Sequence, residues 1–390
     1  MNKYYLPAEW QEQVAVQLTW PHADTDWAPY LDDIVSMELN MVKEISKRER
    51  VIIATPEPYE LQSLLREHLT KDQQGRVEIY HVPTNDTWAR DHAAITLLPK
   101  TDGDGSQTAT VADGATAQPL LLDFKFNGWG EKFVADKDNE ITMQLAKQGA
   151  FESLYPKTNV SQTIIVPQQQ SASSHLDGQL QPLSSPRGGQ EGAFILEGGS
   201  IESDGKGTVF TTSCCLLAPH RNQPLTREEI EAKLKEYLHC ERVVWIDHGE
   251  LIGDDTDGHI DTTVRPAPDD TLLYVKCQDE NDEQYADFVA MEEQLKTFRT
   301  LDGKPYRLLP LPMPRPMYDD GDRLPATYAN FLIINGAVLV PTYGQPDLDA
   351  EALSTIQKAF PDREVVGIDA QVAVRQHGSL HCLTMQFPAI

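Results

Sequence analysis

Five times along its 390 residues, the chain sets a helix-like segment ahead of a short apolar strand and follows the pair with a polar loop. Leu31, Ile34, Val35, Val42 and Ile45 recur at helical spacing before the strand Val51–Ala54, and a second helical face of Leu61, Leu64 and Leu65 leads into Val77–Val82. Helices expected over 138–149, 226–238, 282–299 and 349–360 precede the strands Thr163–Val166, Val243–Ile246, Tyr306–Leu309 and Glu364–Ile368. Between the units lie hairpin-like pairs such as Phe331–Ile334 with Ala337–Val340, joined by the turn-forming Asn335–Gly336. The alternation predicts an α/β fold. Five like units, each followed by one polar loop, suggest modules set around a central axis with the site on that axis. A doubly wound sheet would gather its ligand loops at a topological switch point instead.

The polar loops are Thr87–Asp91, Leu196–Ser200, Gly253–Asp261, Pro325–Asn330 and, near the C-terminus, Gln376–Cys382. Two low-complexity stretches interrupt the pattern, residues 100–118 and 168–190. Regular structure resumes in the same style after each, so both read as surface insertions in one domain spanning 1–390 and not as linkers between domains.

Charge and cysteine content narrow the function. Lys and Arg total 33 against 60 Asp and Glu, a net charge of 33 − 60 = −27. A nucleic-acid partner, which requires a basic footprint, is not expected, whereas a cationic small molecule would be drawn in. The five cysteines form no CxxC pair, which speaks against a disulfide framework or a zinc site. Cys214 and Cys215, in the strand-like Thr211–Leu217, read as core residues. The start, Met1–Pro7, has no apolar run ending in a cleavage site, and no stretch is long enough to cross a bilayer. A cytoplasmic protein with no membrane partner is therefore expected.

Cys382 is surrounded by small and polar residues (Gly378, Ser379, His381) and reads as a nucleophile. A thiol needs a base or a positive neighbour, because the thiolate is what attacks. His259 and His381 are the candidates. A strand over 379–385 would turn His381 to the face opposite Cys382, making His259 the partner and His381 a satisfied structural histidine. His259 and Asp261, two residues apart, would project to one side of an extended segment. Asp91 follows Trp88 at a spacing that can put an acid and an indole in one pocket, and Glu197 precedes two glycines that permit a close backbone approach. One cysteine, one histidine and three acids together suit a planar delocalised cation. A guanidinium presents five N–H donors to carboxylates and a carbon that a thiolate can attack.

The motifs Thr87-Trp88-Ala89-Arg90-Asp91, Leu196-Glu197-Gly198-Gly199-Ser200, Thr256-Asp257-Gly258-His259-Ile260-Asp261 and Ser379-Leu380-His381-Cys382 resemble those of the agmatine deiminase / bacterial-type peptidylarginine deiminase family. The resemblance runs from the opening Leu6-Pro7-Ala8-Glu9-Trp10 to Cys382, nearly the whole chain. It implies the pentein fold, a five-bladed α/β propeller of ββαβ-type modules. It also implies Cys382 as nucleophile, His259 as general acid and base, and Asp91 and Asp261 as guanidinium ligands. Glu197 would orient His259 and help bind the guanidinium, Trp88 would line the slot, and Trp129 and Asn330 would line the substrate. In Phe126-Asn127-Gly128-Trp129-Gly130 the familiar form continues with a second glycine where this chain has Glu131, a departure that bears on the substrate's tail. The implied reaction is hydrolysis of agmatine to N-carbamoylputrescine and ammonia, as in putrescine biosynthesis, through a covalent thiouronium, with no metal or cofactor. Arginine or peptidyl-arginine is the alternative substrate. A metal hydrolase built on His259 and Asp261, or a polyamine-binding protein without turnover, are the readings from other classes. Family members are often dimers or tetramers, so a homo-oligomer is compatible with the resemblance.

Overall fold

The computed structural model describes residues 3–100, 118–156, 164–167 and 193–390. The low-complexity stretches 100–118 and 168–190 lie almost wholly outside these residues. The chain is α/β, and among the described residues the strands fall into five mixed sheets and a separate hairpin, Met317–Asp319 with Asp322–Leu324.

One connectivity recurs. Two strands pair antiparallel, a helix crosses back, and a further strand joins parallel to the second. The pattern holds for Ile201–Ser203, Thr208–Thr212 and Arg242–Ile246 around the helix Arg227–Leu238. It holds again for Val264–Ala267, Thr271–Lys276 and Arg307–Pro312 around Tyr285–Thr297, and for Leu332–Ile334, Ala337–Thr342 and Glu364–Asp369 around Pro346–Ala359. Ile95–Pro99, Leu120–Leu122 and Ile164–Ile165 form another such sheet, edged by Tyr4–Tyr5. The remaining sheet is built from both ends of the chain. Its first strand is the C-terminal Thr384–Pro388, antiparallel to Gln13–Thr19, which then runs parallel to Arg50–Thr55 and Val77–His81. That pairing carries Cys382, two residues before Thr384, back to the start of the fold.

The helices follow from their sequences. Leu31–Ser46 carries Asp32 and Asp33 in its first turn and Lys43 in its last, each opposite in sign to the helix end it faces. It buries Ile34, Met41, Val42 and Ile45 against Val16, Leu18, Val51 and Ile53. Burial of four such side chains contributes roughly 6–12 kcal/mol of hydrophobic free energy before entropy is charged against it. Arg227–Leu238 opens on a capping box in which Thr226 and Glu229 bond each other's backbone N–H. Expected helix ends moved by up to a few residues, as with 282–299, observed as Tyr285–Thr297. The helix expected over 138–149 divides into a tight turn at Asp138–Glu140 and a helix at Ile141–Lys147.

Every sheet is preceded by its polar loop at the same place. Asp91 stands four residues before Ile95, Glu197 four before Ile201, Asp261 three before Val264, Asn330 two before Leu332 and Cys382 two before Thr384. The first strand of each unit therefore begins just after a residue singled out from the sequence as a site candidate. No helix among the described residues is long and apolar enough to cross a membrane.

Candidate active site

Cys382, Asp91, Trp88 and Trp129 line one cleft of about 520 Å³, together with Asp26, Asp86, Asp254, Asp255 and His377. Cys382 lies at its base, only 5% exposed. Asn330 donates from Nδ2 to Cys382 Sγ at 3.1 Å, while its Oδ1 accepts the backbone N–H groups of His381 and Cys382 at 3.1 and 3.2 Å. Asn330, expected to line the substrate, thus bonds both the sulfur and the backbone of Cys382. Asp261 Oδ2 lies 3.6 Å from the sulfur. Burial, with the Asp261 and Asp91 charges adding, pushes the thiol well above its ordinary range, and Asn330 opposes them. That environment favours the protonated thiol over the thiolate.

Asp91 sits on the one-turn helix Ala89–His92. Its Oδ2 accepts from Trp129 Nε1 at 2.9 Å and its Oδ1 from the Gly199 backbone N–H at 3.0 Å. Burial, helped by the neighbouring charges of Asp261 and Glu197 and opposed by His259, pushes its carboxyl up to about 6. His259 is fully buried, with Nδ1 3.7 Å from Asp91 Oδ1, and neither ring nitrogen makes a hydrogen bond among the described residues. A carboxylate oxygen of Glu197, Cys215 Sγ and a ring nitrogen of His259 all lie within 4.8 Å of one another. Glu197 Oε2 and Asp261 Oδ1 are likewise buried and unbonded among the described residues. Buried acceptors without donors cost about 1–3 kcal/mol each, so the site is built for a ligand that supplies N–H groups.

The sequence-predicted residues Cys382, Asp91, Asp261, His259 and Glu197 converge, but local geometry corrects several expectations. His259 and Asp261 do not share a side of an extended segment. Ile260–Thr262 is a tight helical turn, with His259 just before it and Asp261 at its middle. Residues 379–383 form a turn ahead of the strand, so strand alternation does not set His381 apart from Cys382. His381 is a satisfied buried histidine for another reason, since Asp261 Oδ2 and Glu9 Oε1 each lie 2.7 Å from a ring nitrogen. Thr211–Leu217 is not one strand. It turns helical at Ser213–Leu216, which buries Cys215 and leaves Cys214 exposed.

Two glycines are fixed by what lies against them. A Cβ at Gly199 would stand 2.6 Å from His259 Nδ1, 2.9 Å from Asp91 Oδ1 and 3.2 Å from Asp261 Oδ2, and one at Gly378 would stand 2.1 Å from the Trp88 ring. Gly199→Ala is accordingly expected to lower kcat/KM about 100-fold or more, because a displacement near 1 Å at a reacting group costs that much. Circular dichroism should report an intact fold, and an alanine variant with wild-type turnover would contradict this packing. Glu131, at the position of the familiar second glycine, adopts a left-handed φ of 67°, next to Trp129 at 55°. The glycine-like backbone path is retained despite the side chain, at a cost of about 1–2 kcal/mol.

Arg221 was not legible as a site residue. It is fully buried in its side chain and bonds Glu197 Oε1 through Nε at 2.9 Å, Asp257 Oδ2 at 2.6 Å and the Thr256 carbonyl at 2.7 Å. It sits amid a helix-loop segment, His220-Arg221-Asn222, with no motif to mark it; only its pairing with an acid distant in sequence reveals its part.

Comparison with known proteins agrees with this geometry. The profile of the Porphyromonas-type peptidyl-arginine deiminase family matches residues 5–388. The agmatine deiminase of Pseudomonas putida is 30% identical over 99% of this chain and 96% of its own length. Among solved structures, a Porphyromonas gingivalis protein described provisionally as an arginine deiminase is 45% identical, with a TM-score of 0.79, covering 99% of this chain and 98% of its own. A cysteine-to-serine variant of C. jejuni agmatine deiminase with substrate bound is 32% identical, also at a TM-score of 0.79, over 99% of this chain and 96% of its own. With its cysteine, histidine and carboxylates brought close together and the match running nearly end to end, the chain belongs to the Porphyromonas-type peptidyl-arginine deiminase family.

Proposed function

We propose that the chain hydrolyses agmatine to N-carbamoylputrescine and ammonia through a covalent adduct on Cys382. The observation that carries this is the charge of the cleft. Asp26, Asp86, Asp91, Asp254 and Asp255 line it, and behind that lining Asp261 lies 3.6 Å from Cys382 Sγ and, like Glu197, has a buried, unbonded carboxylate oxygen. No arginine or lysine is among its described lining residues. A guanidinium at one end and an ammonium at the other complement such a cleft, whereas the carboxylate of free arginine would face repulsion on the order of 1–4 kcal/mol per nearby acid.

Asp91 and Asp261 hold the guanidinium nitrogens, and the arriving positive charge offsets the two carboxylates that keep Cys382 protonated. Cys382 then gives its proton to His259 as Sγ attacks the guanidinium carbon to form a tetrahedral adduct. His259 protonates the departing nitrogen, ammonia leaves, and a thiouronium remains. Water adds to that carbon as His259 takes its proton, and collapse of the second adduct breaks the C–S bond to release the ureido product. Glu197, held by Arg221, orients His259. Trp88 and Trp129 wall the guanidinium slot. The Glu197–Cys215–His259 trio also has donors for a metal, but Arg221 already neutralises Glu197 there. The five sheets, each starting at one of these side chains, are the blades of a single-domain five-bladed propeller.

A second reading, deimination of free or peptidyl arginine, has the description of the 45% identical P. gingivalis protein behind it. Ammonia release from agmatine, arginine and an arginine-containing peptide, measured from about pH 5 to pH 9, separates the two. Agmatine is expected to win. Its kcat/KM should fall below about pH 6, where Asp91 takes up a proton and can no longer grip a cation. Preference for arginine or the peptide moves the protein to the second reading, and silence with all three removes both.

A further inference from the structure

Behind the Asp261 carboxylate runs a chain of buried charged groups that the reaction above leaves unused. His381 is buried between Asp261 and Glu9, at 2.7 Å from each. Glu9 also takes Arg90 Nη1 at 2.9 Å and Arg265 Nη2 at 2.5 Å. Arg265 closes on Glu202 and, through Nη1, on the carbonyls of Ala329 at 2.9 Å and Phe331 at 2.8 Å, the two residues that flank Asn330. Of these side chains Glu9 keeps the most solvent contact, 17%, and it faces a second cavity that shares no lining residue with the cleft.

A neutral imidazole has one N–H and can serve one carboxylate. Two short bonds on one ring therefore require two protons among Asp261, His381 and Glu9. Burial opposes the ionisation of Asp261, yet the hydrogen bond and charge of His381 prevail and hold its carboxyl below the ordinary range. Glu9 is held well below its ordinary range, where burial is outweighed by His381, Arg90 and Arg265. Burial, with the charges of Arg265 and Arg90, holds His381 below its ordinary range, and Glu9 and Asp261 oppose that only in part. Removing the charge of Glu9 takes away one of the two groups that keep a second proton on the ring.

We propose that Glu9 and His381 are positioning residues for the deimination, fixing one oxygen of Asp261 so that the other faces the guanidinium. The role presupposes that Asp261 grips the guanidinium, as above. Neither residue touches the reacting atoms. Besides His381, the groups facing Asp261 are Cys382, Asp91, His259, Arg265 and Glu202.

The test is Glu9→Gln, which removes charge and keeps shape. Without Glu9's charge His381 gives up its second proton at lower pH. In the folded variant kcat/KM for agmatine is expected to fall about tenfold or more, with its basic limb displaced to lower pH. A merely structural loss would lower activity without moving that limb. An unchanged profile and rate in a folded Glu9→Gln protein overturns the proposal. Should the variant fail to fold, the ring ¹H–¹⁵N signals of the wild-type enzyme, assigned with His381→Asn, decide. Two protected His381 N–H protons that persist with agmatine bound support the chain, and fewer than two overturn it. If the wild-type enzyme releases ammonia from none of the three guanidines, the proposed function fails and takes this role with it.

Discussion

Replacing Cys382 with alanine is expected to lower kcat for agmatine by about four orders of magnitude or more while leaving the fold intact. Under the proposed function Cys382 forms and breaks the bond to the guanidinium carbon, and it is the only thiol among the described residues that line the cleft. The stability change should be small, about 1 kcal/mol or less, because the deleted sulfur is a weakly bonded, protonated group held by Asn330 and near Asp261. Cys382→Ser should still bind agmatine, since Asp91, Asp261 and Glu197 are untouched. Steady-state ammonia release and a thermal melt, run on the same preparation, check both halves. Turnover near the wild-type rate in the alanine variant would remove Cys382 from the chemistry.

Neutralising either guanidinium ligand carries the second large effect. Asp261→Asn and Asp91→Asn each leave a buried cation short of one carboxylate, which costs about 3–5 kcal/mol, or roughly two to three and a half orders of magnitude in kcat/KM. The two variants should differ in a second readout. Burial and the charges of Asp261 and Asp91 raise the Cys382 thiol, in that order. Asp261→Asn should therefore lower the thiol's pKa and speed its alkylation by neutral iodoacetamide, even as turnover collapses. Asp91→Asn should do the same more weakly. Loss of activity together with slower alkylation in Asp261→Asn would show that the thiol does not feel that carboxylate.

Opposite signs in these readouts reflect one design. Under the proposed function, the two acids that hold the cation also raise the Cys382 thiol, and the charge of a bound guanidinium would relieve that rise.

Much of this site was legible before any coordinates. Cys382, His259, Asp91, Asp261 and Glu197 each stand in a polar loop after a helix–strand unit, and each loop leads directly into the next sheet. Strand and helix periodicity exposes that repeat because side-chain burial on one face leaves its mark every two or every 3.6 residues. The hairpin at Asn335–Gly336 was equally plain, since a two-residue turn admits few sequences. Glu131, the departure from the familiar glycine, has a left-handed backbone, and its side chain turns toward His220, 3.3 Å away.

Local pattern specified residue types, loop positions and the alternation of helix and strand, because these depend on neighbours a few residues away. Partnership did not follow from it. That Asn330 bonds the thiol, that Arg221 holds Glu197, and that Glu9 reaches His381 across 372 positions are contacts between separate units, brought about when the five sheets assemble. The physical reason is that a buried charge must find its counter-charge wherever the fold places one, and sequence distance has no bearing on that search. His381 makes the point in a single side chain. Strand alternation would have turned it away from Cys382, and a turn with two distant carboxylates put it behind the nucleophile's own neighbour, Asp261.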